Sequence, residues 1–185
     1  MGSIRLVFSG SGGQGVITAA IILAEAAVIF SGKNATQTQA YGAAARGGAT
    51  RSDIIISDEK INYPGVLQPN ILMTLTQNAY NSFSSIIRPG GLLLSDPRFV
   101  ETTRKVDAKQ LELPMYEKVM EKVGKPIVYN ICTLGALIGI TQILEPETVL
   151  QVLEERIPKD FQEMNMRAFD LGLVLGSQYQ YRRFT

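Results

Sequence analysis

Gly10-Ser11-Gly12-Gly13-Gln14-Gly15 stands between an apolar, strand-like run, Ile4 to Ser9, and a helical stretch, Val16 to Ser31. A buried parallel strand that stops at a glycine cluster and continues as an Ala- and Ile-rich helix predicts a strand–loop–helix unit. Gly32 is placed to end that helix in the left-handed conformation. Gly10, Gly12 and Gly15 have the Gly-X-Gly-X-X-Gly spacing of nucleotide-binding loops, in which missing side chains let backbone N–H groups approach an anion at the positive end of a helix. The residues alone leave two readings: the glycines cradle a phosphate-bearing ligand, or they only permit a tight turn and close helix packing. A dinucleotide would also call for a carboxylate about twenty residues on, to hold the ribose hydroxyls. That region carries Lys33 and Asn34 instead, which disfavours nicotinamide and flavin dinucleotides.

The rest of the chain alternates in the same way. Ala49 to Ser57, with Ile54, Ile55 and Ile56, predicts a strand, and Asp58-Glu59-Lys60 before Ile61 predicts an antiparallel hairpin around residues 49–63. Ile71 to Thr76 reads as a strand followed by a helix to Ile87. Pro89-Gly90-Gly91 then turns the chain into a strand at Leu92 to Ser95. Arg98 to Leu113 is charged and weakly periodic and receives no assignment. Ile127 to Leu144 contains no formal charge, but with Asn130, Thr133, Thr141 and Gln142 it reads as a buried helix and not as a membrane span. Pro146 opens one carboxy-terminal helix, and Asp160 with Glu163 predicts a capping box at the start of another. These elements predict an α/β fold: a three-layer, Rossmann-like domain over residues 1–185 with a mixed, mainly parallel sheet and an antiparallel hairpin.

Composition narrows the chemistry. The 185 residues include no histidine and one cysteine, which excludes a Ser-His-Asp relay, a His-rich metal site, an internal disulfide and a four-cysteine iron–sulfur site within the chain. No catalytic residue and no metal ligand is expected here. A net charge of +1 argues against nucleic-acid binding, which draws on a surplus of Lys and Arg. Met1 to Arg5 runs into the first strand without a leader pattern, so the expectation is a cytoplasmic protein with no membrane span.

Other candidate residues lie outside the loop. In Tyr41-Gly42-Ala43-Ala44-Ala45-Arg46-Gly47-Gly48, a guanidinium beside Gly47 and Gly48 can reach a phosphate or carboxylate with little obstruction. The alternative is a surface turn with a solvated arginine. Asn130 either caps the apolar helix or offers its amide to a ligand, and capping is favoured because Asn is a preferred N-cap residue. Gly135 and Gly139, one turn apart, predict close packing against a neighbouring element. Cys132, among Ile131, Leu134 and Ala136, reads as a small buried hydrophobe. The tail from Tyr179 to Phe184 reads as a docking or solvated terminus.

Taken together, Gly-Ser-Gly-Gly-Gln-Gly-Val at 10–16, Leu-Ala-Glu-Ala at 23–26, Tyr-Gly and Arg-Gly-Gly within 41–48, and Asp-Ile-Ile-Ile-Ser-Asp at 53–58 resemble the gamma subunit of the 2-oxoacid:ferredoxin (acceptor) oxidoreductases. Asn165-Met166-Arg167-Ala168-Phe169-Asp170-Leu171-Gly172 is similar to the 2-oxoglutarate branch. The resemblance implies a complex that oxidatively decarboxylates a 2-oxoacid to an acyl-coenzyme A. Thiamine diphosphate and iron–sulfur clusters would lie on partner alpha, beta and ferredoxin-like delta subunits, and electrons would pass to ferredoxin or another acceptor. For this chain it implies a structural role with coenzyme A contacts by Gly10, Ser11, Gly12, Gly13, Gln14, Gly15, Arg46, Gly47, Gly48 and Asn130. The pyruvate enzymes carry an acidic residue where Gln14 stands, so the resemblance assigns Gln14 no role. A stand-alone nucleotide-binding reductase and a pure assembly module are the alternatives from other classes.

Overall fold

The computed structural model describes residues 2–40 and 49–181. Its strands are β1 (Ile4–Gly10), β2 (Asn34–Ala40), β3 (Thr50–Ser57), β4 (Ile71–Thr74), β5 (Gly91–Ser95) and β6 (Ala108–Glu112). They form one sheet in the order β2-β3-β1-β4-β5-β6. Strands β1, β4, β5 and β6 are parallel, and β3 runs antiparallel to both of its neighbours, β1 and β2.

The mixed sheet is as expected, but the hairpin partner is not. Strand β3 pairs with the segment before it, from Asn34 opposite Ser57 to Ala40 opposite Arg51, and residues 58–70 form no strand. The reason is physical: no residue from Asn34 to Gln39 is buried, so β2 is a polar edge strand held by its ladder rather than by apolar burial. At the opposite edge, Leu111 is the only buried residue of β6, which explains why residues 98–113 show no clear period.

Helices cover the two faces unequally. Ile4, Leu6 and Phe8 of β1 face a large core built with α1 (Val16–Glu25), α3 (Met115–Lys122), α4 (Tyr129–Thr141), α5 (Pro146–Arg156) and α6 (Lys159–Ser177). Val7, Leu72 and Leu93 face a smaller core with Tyr80 of α2 (Gln77–Phe83) and with Val66 and Ile87 from connecting segments. Alternation along β1 thus feeds both cores, as a doubly covered strand requires. α1 runs on into a π turn at Ala26–Phe30, and Gly32 follows with φ +62°.

Every residue of α4 is buried, which accounts for its missing charges without a membrane. Among the described residues no helix is long and apolar enough to cross one. The expected close packing of Gly135 and Gly139 is present, with α6 as the neighbour. The Asp160–Glu163 capping box does not form: Pro158 is the N-cap of α6, no side chain caps that end, and Asp160 lies inside the first turn. A carboxylate there still complements the helix dipole. The tail docks through Tyr181, whose N–H donates to the Ile140 carbonyl at 3.0 Å and whose hydroxyl donates to the Gly90 carbonyl.

Candidate functional site

The glycine loop lies at the carboxyl end of β1, where open α/β sheets place their ligands. Its shape is set by three of its own residues. Gln14 Oε1 accepts the Ser11 N–H at 2.7 Å, and Gln14 Nε2 donates to the Leu75 carbonyl at 3.3 Å, so one side chain closes the loop and fastens it to the chain leaving β4. Gly13 and Gly15 have φ of +86° and +70°, conformations that side chains resist. This gives Gln14 a structural role that spacing alone does not reveal.

The remaining glycines differ from one another. A Cβ on Gly10 would stand 2.5 Å from Gln14 Oε1 and 2.9 Å from Val16 Cγ2, so packing requires its absence. Among the described residues, a Cβ on Gly12 would meet nothing within 4 Å, and Gly12 is exposed with no positive φ. Neither a turn nor packing among the described residues accounts for glycine at this position. It stands beside the amino end of α1, whose first N–H groups have no intrahelical partner and carry the positive end of the helix dipole.

Asn130 belongs to this site but is not a helix cap. Val128 is the N-cap of α4 and no side chain bonds to that end. Asn130 lies inside the first turn and donates from Nδ2 to the Gly15 carbonyl at 3.2 Å. The favoured capping role is therefore replaced by a tie between the buried helix and the loop. A Cβ on Gly15 would stand 2.5 Å from that same Nδ2.

Two clefts flank the loop. One, of about 380 Å³, is lined by Ser11, Gly12, Gly13 and Gly15 with the first residues of α1 and Thr50. The other, of about 360 Å³, lies between Gly13 and Gln14 on one side and Phe99, Tyr116, Ile127 and Tyr129 on the other. Phe99, Tyr116 and Tyr129 pack edge to face with centroids 5.0–5.8 Å apart, an arrangement favoured by ring quadrupoles. Asp96, fully buried at the end of β5, supports them. Its Oδ2 accepts the Tyr116 N–H at 2.7 Å and the Tyr129 hydroxyl at 3.1 Å, and its Oδ1 accepts the Arg98 N–H at 2.9 Å.

Burial raises the Asp96 carboxyl above its ordinary range, and hydrogen bonds from Tyr116, Arg98, Tyr129 and Met115 work against that shift. Burial likewise raises the Tyr129 phenol and pushes the Cys132 thiol up to about 12, so Cys132 is the inert small hydrophobe the sequence suggests. The site offers backbone N–H donors and an aromatic wall.

Of the residues singled out from sequence, the structure brings Gly10 to Gly15 and Asn130 together. Arg46, Gly47 and Gly48 lie outside the described residues. Asp96, Phe99, Tyr116 and Tyr129 were not singled out, because they come from three separate segments that only the fold unites.

A model of the pyruvate ferredoxin/flavodoxin oxidoreductase family matches residues 5–175. The chain is 42% identical over 177 residues to the 2-oxoglutarate synthase subunit KorC of Methanocaldococcus jannaschii, covering 95% of this chain and 94% of that one. Among solved structures, the gamma subunit of a keto/oxoacid ferredoxin oxidoreductase from Geobacter sulfurreducens matches with a TM-score of 0.85 at 36% identity, over 95% of this chain and 99% of that chain. The 2-oxoglutarate:ferredoxin oxidoreductase of Magnetococcus marinus, solved with 2-oxoglutarate, coenzyme A and succinyl-CoA bound, shares the fold with a TM-score of 0.88 at 21% identity, over all of this chain (100%) and 33% of that one. With its glycine loop, mixed six-stranded sheet and near full-length match to these proteins, the chain belongs to the pyruvate ferredoxin/flavodoxin oxidoreductase family.

Proposed function

We propose that this chain is the gamma-type subunit of a cytoplasmic 2-oxoglutarate:ferredoxin oxidoreductase and that its glycine loop contacts coenzyme A. Gly12 carries this reading: it is exposed at the amino end of α1, with room for a side chain and a backbone that would accept one. A glycine in such a place is explained by close approach of a group other than the described residues, and a diphosphate is the group that helix amino ends and free N–H groups favour. Coenzyme A carries that diphosphate and needs no ribose carboxylate, which agrees with Lys33 and Asn34 standing where a dinucleotide site has an acid. Arg46 with Gly47 and Gly48 is assigned to the same ligand through the family resemblance. Thiamine diphosphate and iron–sulfur clusters, on alpha, beta and delta partners, supply the decarboxylation and the electron path to ferredoxin.

The test uses the assembled enzyme. Gly12→Val is expected to raise the KM for coenzyme A by about tenfold or more, the loss of roughly one charge-assisted contact. Coenzyme A-independent release of CO₂ from 2-oxoglutarate in a single turnover is expected to stay unchanged. Arg46→Ala is expected to act in the same direction. An assembled Gly12→Val enzyme with wild-type KM for coenzyme A removes the loop from the site, and hydride transfer from NAD(P)H by the chain on its own overturns the subunit reading.

A further inference from the structure

The end of the sheet opposite the glycine loop carries a second concave surface. Residues 58–70 connect β3 to β4 without forming a helix or a strand. Connections of that length without secondary structure are uncommon inside compact domains and are usually working surfaces. This one is pinned from both sides. Arg51 and Asp53, paired at 2.6 Å on β3, hold Val66 by its backbone: Arg51 Nη2 donates to the Val66 carbonyl at 2.5 Å, and the Val66 N–H donates to Asp53 Oδ2 at 3.0 Å. The Tyr63 ring lies over Gly65, where a Cβ would stand 2.6 Å from it.

Held in this way, the connection walls a cavity of about 800 Å³ together with the start of β1 and the turn before β5. Arg5, Lys60 and Arg88 line it, and among the described residues no carboxylate does. None of these three cations has an ion-pair partner among the described residues. Two of them are set in place by one dipeptide. The Arg5 N–H donates to Asn70 Oδ1 at 2.9 Å, the Asn70 N–H donates back to the Arg5 carbonyl at 2.7 Å, and the Arg88 N–H donates to the Pro69 carbonyl at 3.1 Å. Beside the cations, Tyr63 and Leu67 are 67% and 78% exposed.

We propose that this groove receives an extended, acidic segment of another subunit of the oxidoreductase complex. Carboxylates of that segment meet Arg5, Lys60 and Arg88, and its apolar side chains cover Tyr63 and Leu67. A small anion would satisfy the charge but leave both large side chains in water, whereas a polypeptide covers charge and apolar surface together. The groove also has about twice the volume of either cleft at the glycine loop. This inference rests on the chain being a subunit of such a complex.

The experiment is assembly of the full chain with the remaining subunits of its complex. The Arg5→Glu/Arg88→Glu double variant is expected to weaken assembly by about tenfold or more at near-physiological salt, with Lys60→Glu and Leu67→Asp each giving a smaller loss. Wild-type assembly is expected to weaken as salt is added. The two arginine side chains make no hydrogen bond, ion pair or ring contact among the described residues, so the double variant is expected to keep the wild-type circular dichroism and a Tm close to that of wild type as an isolated chain. A folded double variant that assembles with wild-type affinity overturns the proposal. So does a Tm raised by inorganic phosphate in wild type alone when assembly is unaffected, an outcome that assigns the cations to a small anion. A wild-type chain that fails to assemble overturns the subunit reading and this inference together, whereas normal assembly with an unchanged coenzyme A KM in Gly12→Val overturns only the coenzyme A contact.

Discussion

In the β1–α1 loop, Gly13 and Gly15 are needed for their backbone angles, φ +86° and +70°. Where α4 crosses α6, Gly135, Gly139, Gly172 and Gly176 lie within regular helix and are needed for distance. A Cβ on Gly172 would stand 2.0 Å from the Cys132 carbonyl oxygen, and one on Gly135 would stand 2.1 Å from that of Phe169. The crossing glycines let two backbones touch, and the contact is reciprocal, each helix supplying both glycines and carbonyls. A turn glycine can be strained locally at modest cost, but a crossing glycine can be replaced only by moving a helix. Gly12 satisfies neither description, and the contrast with its neighbours is what makes it informative.

The largest effect is expected at the crossing. Gly172→Ala places a methyl group on the Cys132 carbonyl and 2.8 Å from the Ala136 N, so α6 must lift away from α4, a helix with no exposed residue. Overpacking against backbone cannot be relieved by a rotamer change, and a loss of about 3 kcal/mol or more is expected, a fall in Tm of roughly 6–12 °C for a domain of this size. Denaturant unfolding of the isolated chain measures it. A loss below about 0.5 kcal/mol would mean that the crossing is elastic and that the two classes of glycine do not differ in the way described.

Much of this was legible from the residues, and what escaped did so for identifiable reasons. β1, β3, β4 and β5 bury continuous apolar runs, and each shows as such in the sequence. The two edge strands do not: no residue from Asn34 to Gln39 of β2 is buried and β6 buries only Leu111, so neither has a period to read. With β2 unseen, the turn residues Asp58-Glu59-Lys60 were the nearest available signal for a hairpin, and they pointed to the wrong side of β3. Helix α3 did carry a signal, Met115 and Val119 buried at i, i+4, though it spans only two turns. At the site, the glycine loop was visible because its spacing is local. The donation from Asn130 to the Gly15 carbonyl joins residues 115 positions apart, and the support of Tyr116 and Tyr129 by Asp96 is likewise non-local, so only the fold discloses them.

An intermediate effect is expected where the two regions meet. Gly15→Ala forces a side chain into the left-handed region, about 1–2 kcal/mol, and sets its Cβ 2.5 Å from Asn130 Nδ2. That neighbour is the end of a side chain and can be removed. Asn130→Ala alone is expected to cost about 1 kcal/mol for the lost bond to the Gly15 carbonyl. In the Gly15→Ala/Asn130→Ala double variant the clashes with Nδ2 and Cγ disappear and only a tight 3.1 Å approach to the Cβ of residue 130 remains, so the combined loss is expected to fall short of the sum by about 1 kcal/mol. A strictly additive cycle, read by urea unfolding of the four proteins, would show that backbone strain alone limits this position, and an unchanged stability in Asn130→Ala would show that Asn130 does not hold the loop.

The smallest effect on stability is expected at Gly12. With none of the described residues within 4 Å of its Cβ position and no positive φ, Gly12→Val adds a side chain to an exposed position, and a change within about 0.5 kcal/mol is expected, as for other exposed positions free of special contacts. Thermal unfolding of the isolated chain measures it, and a loss comparable to that of Gly15→Ala would return Gly12 to the glycines required by the loop itself. Set beside the coenzyme A measurement on the assembled enzyme, the stability result becomes decisive in a way that neither is alone. Gly172→Ala and Gly15→Ala would also alter ligand binding if they disturbed the loop, but they would do so with a matching loss of stability. A loss of coenzyme A affinity at full stability has one physical source, a ligand that needs the space in front of Gly12.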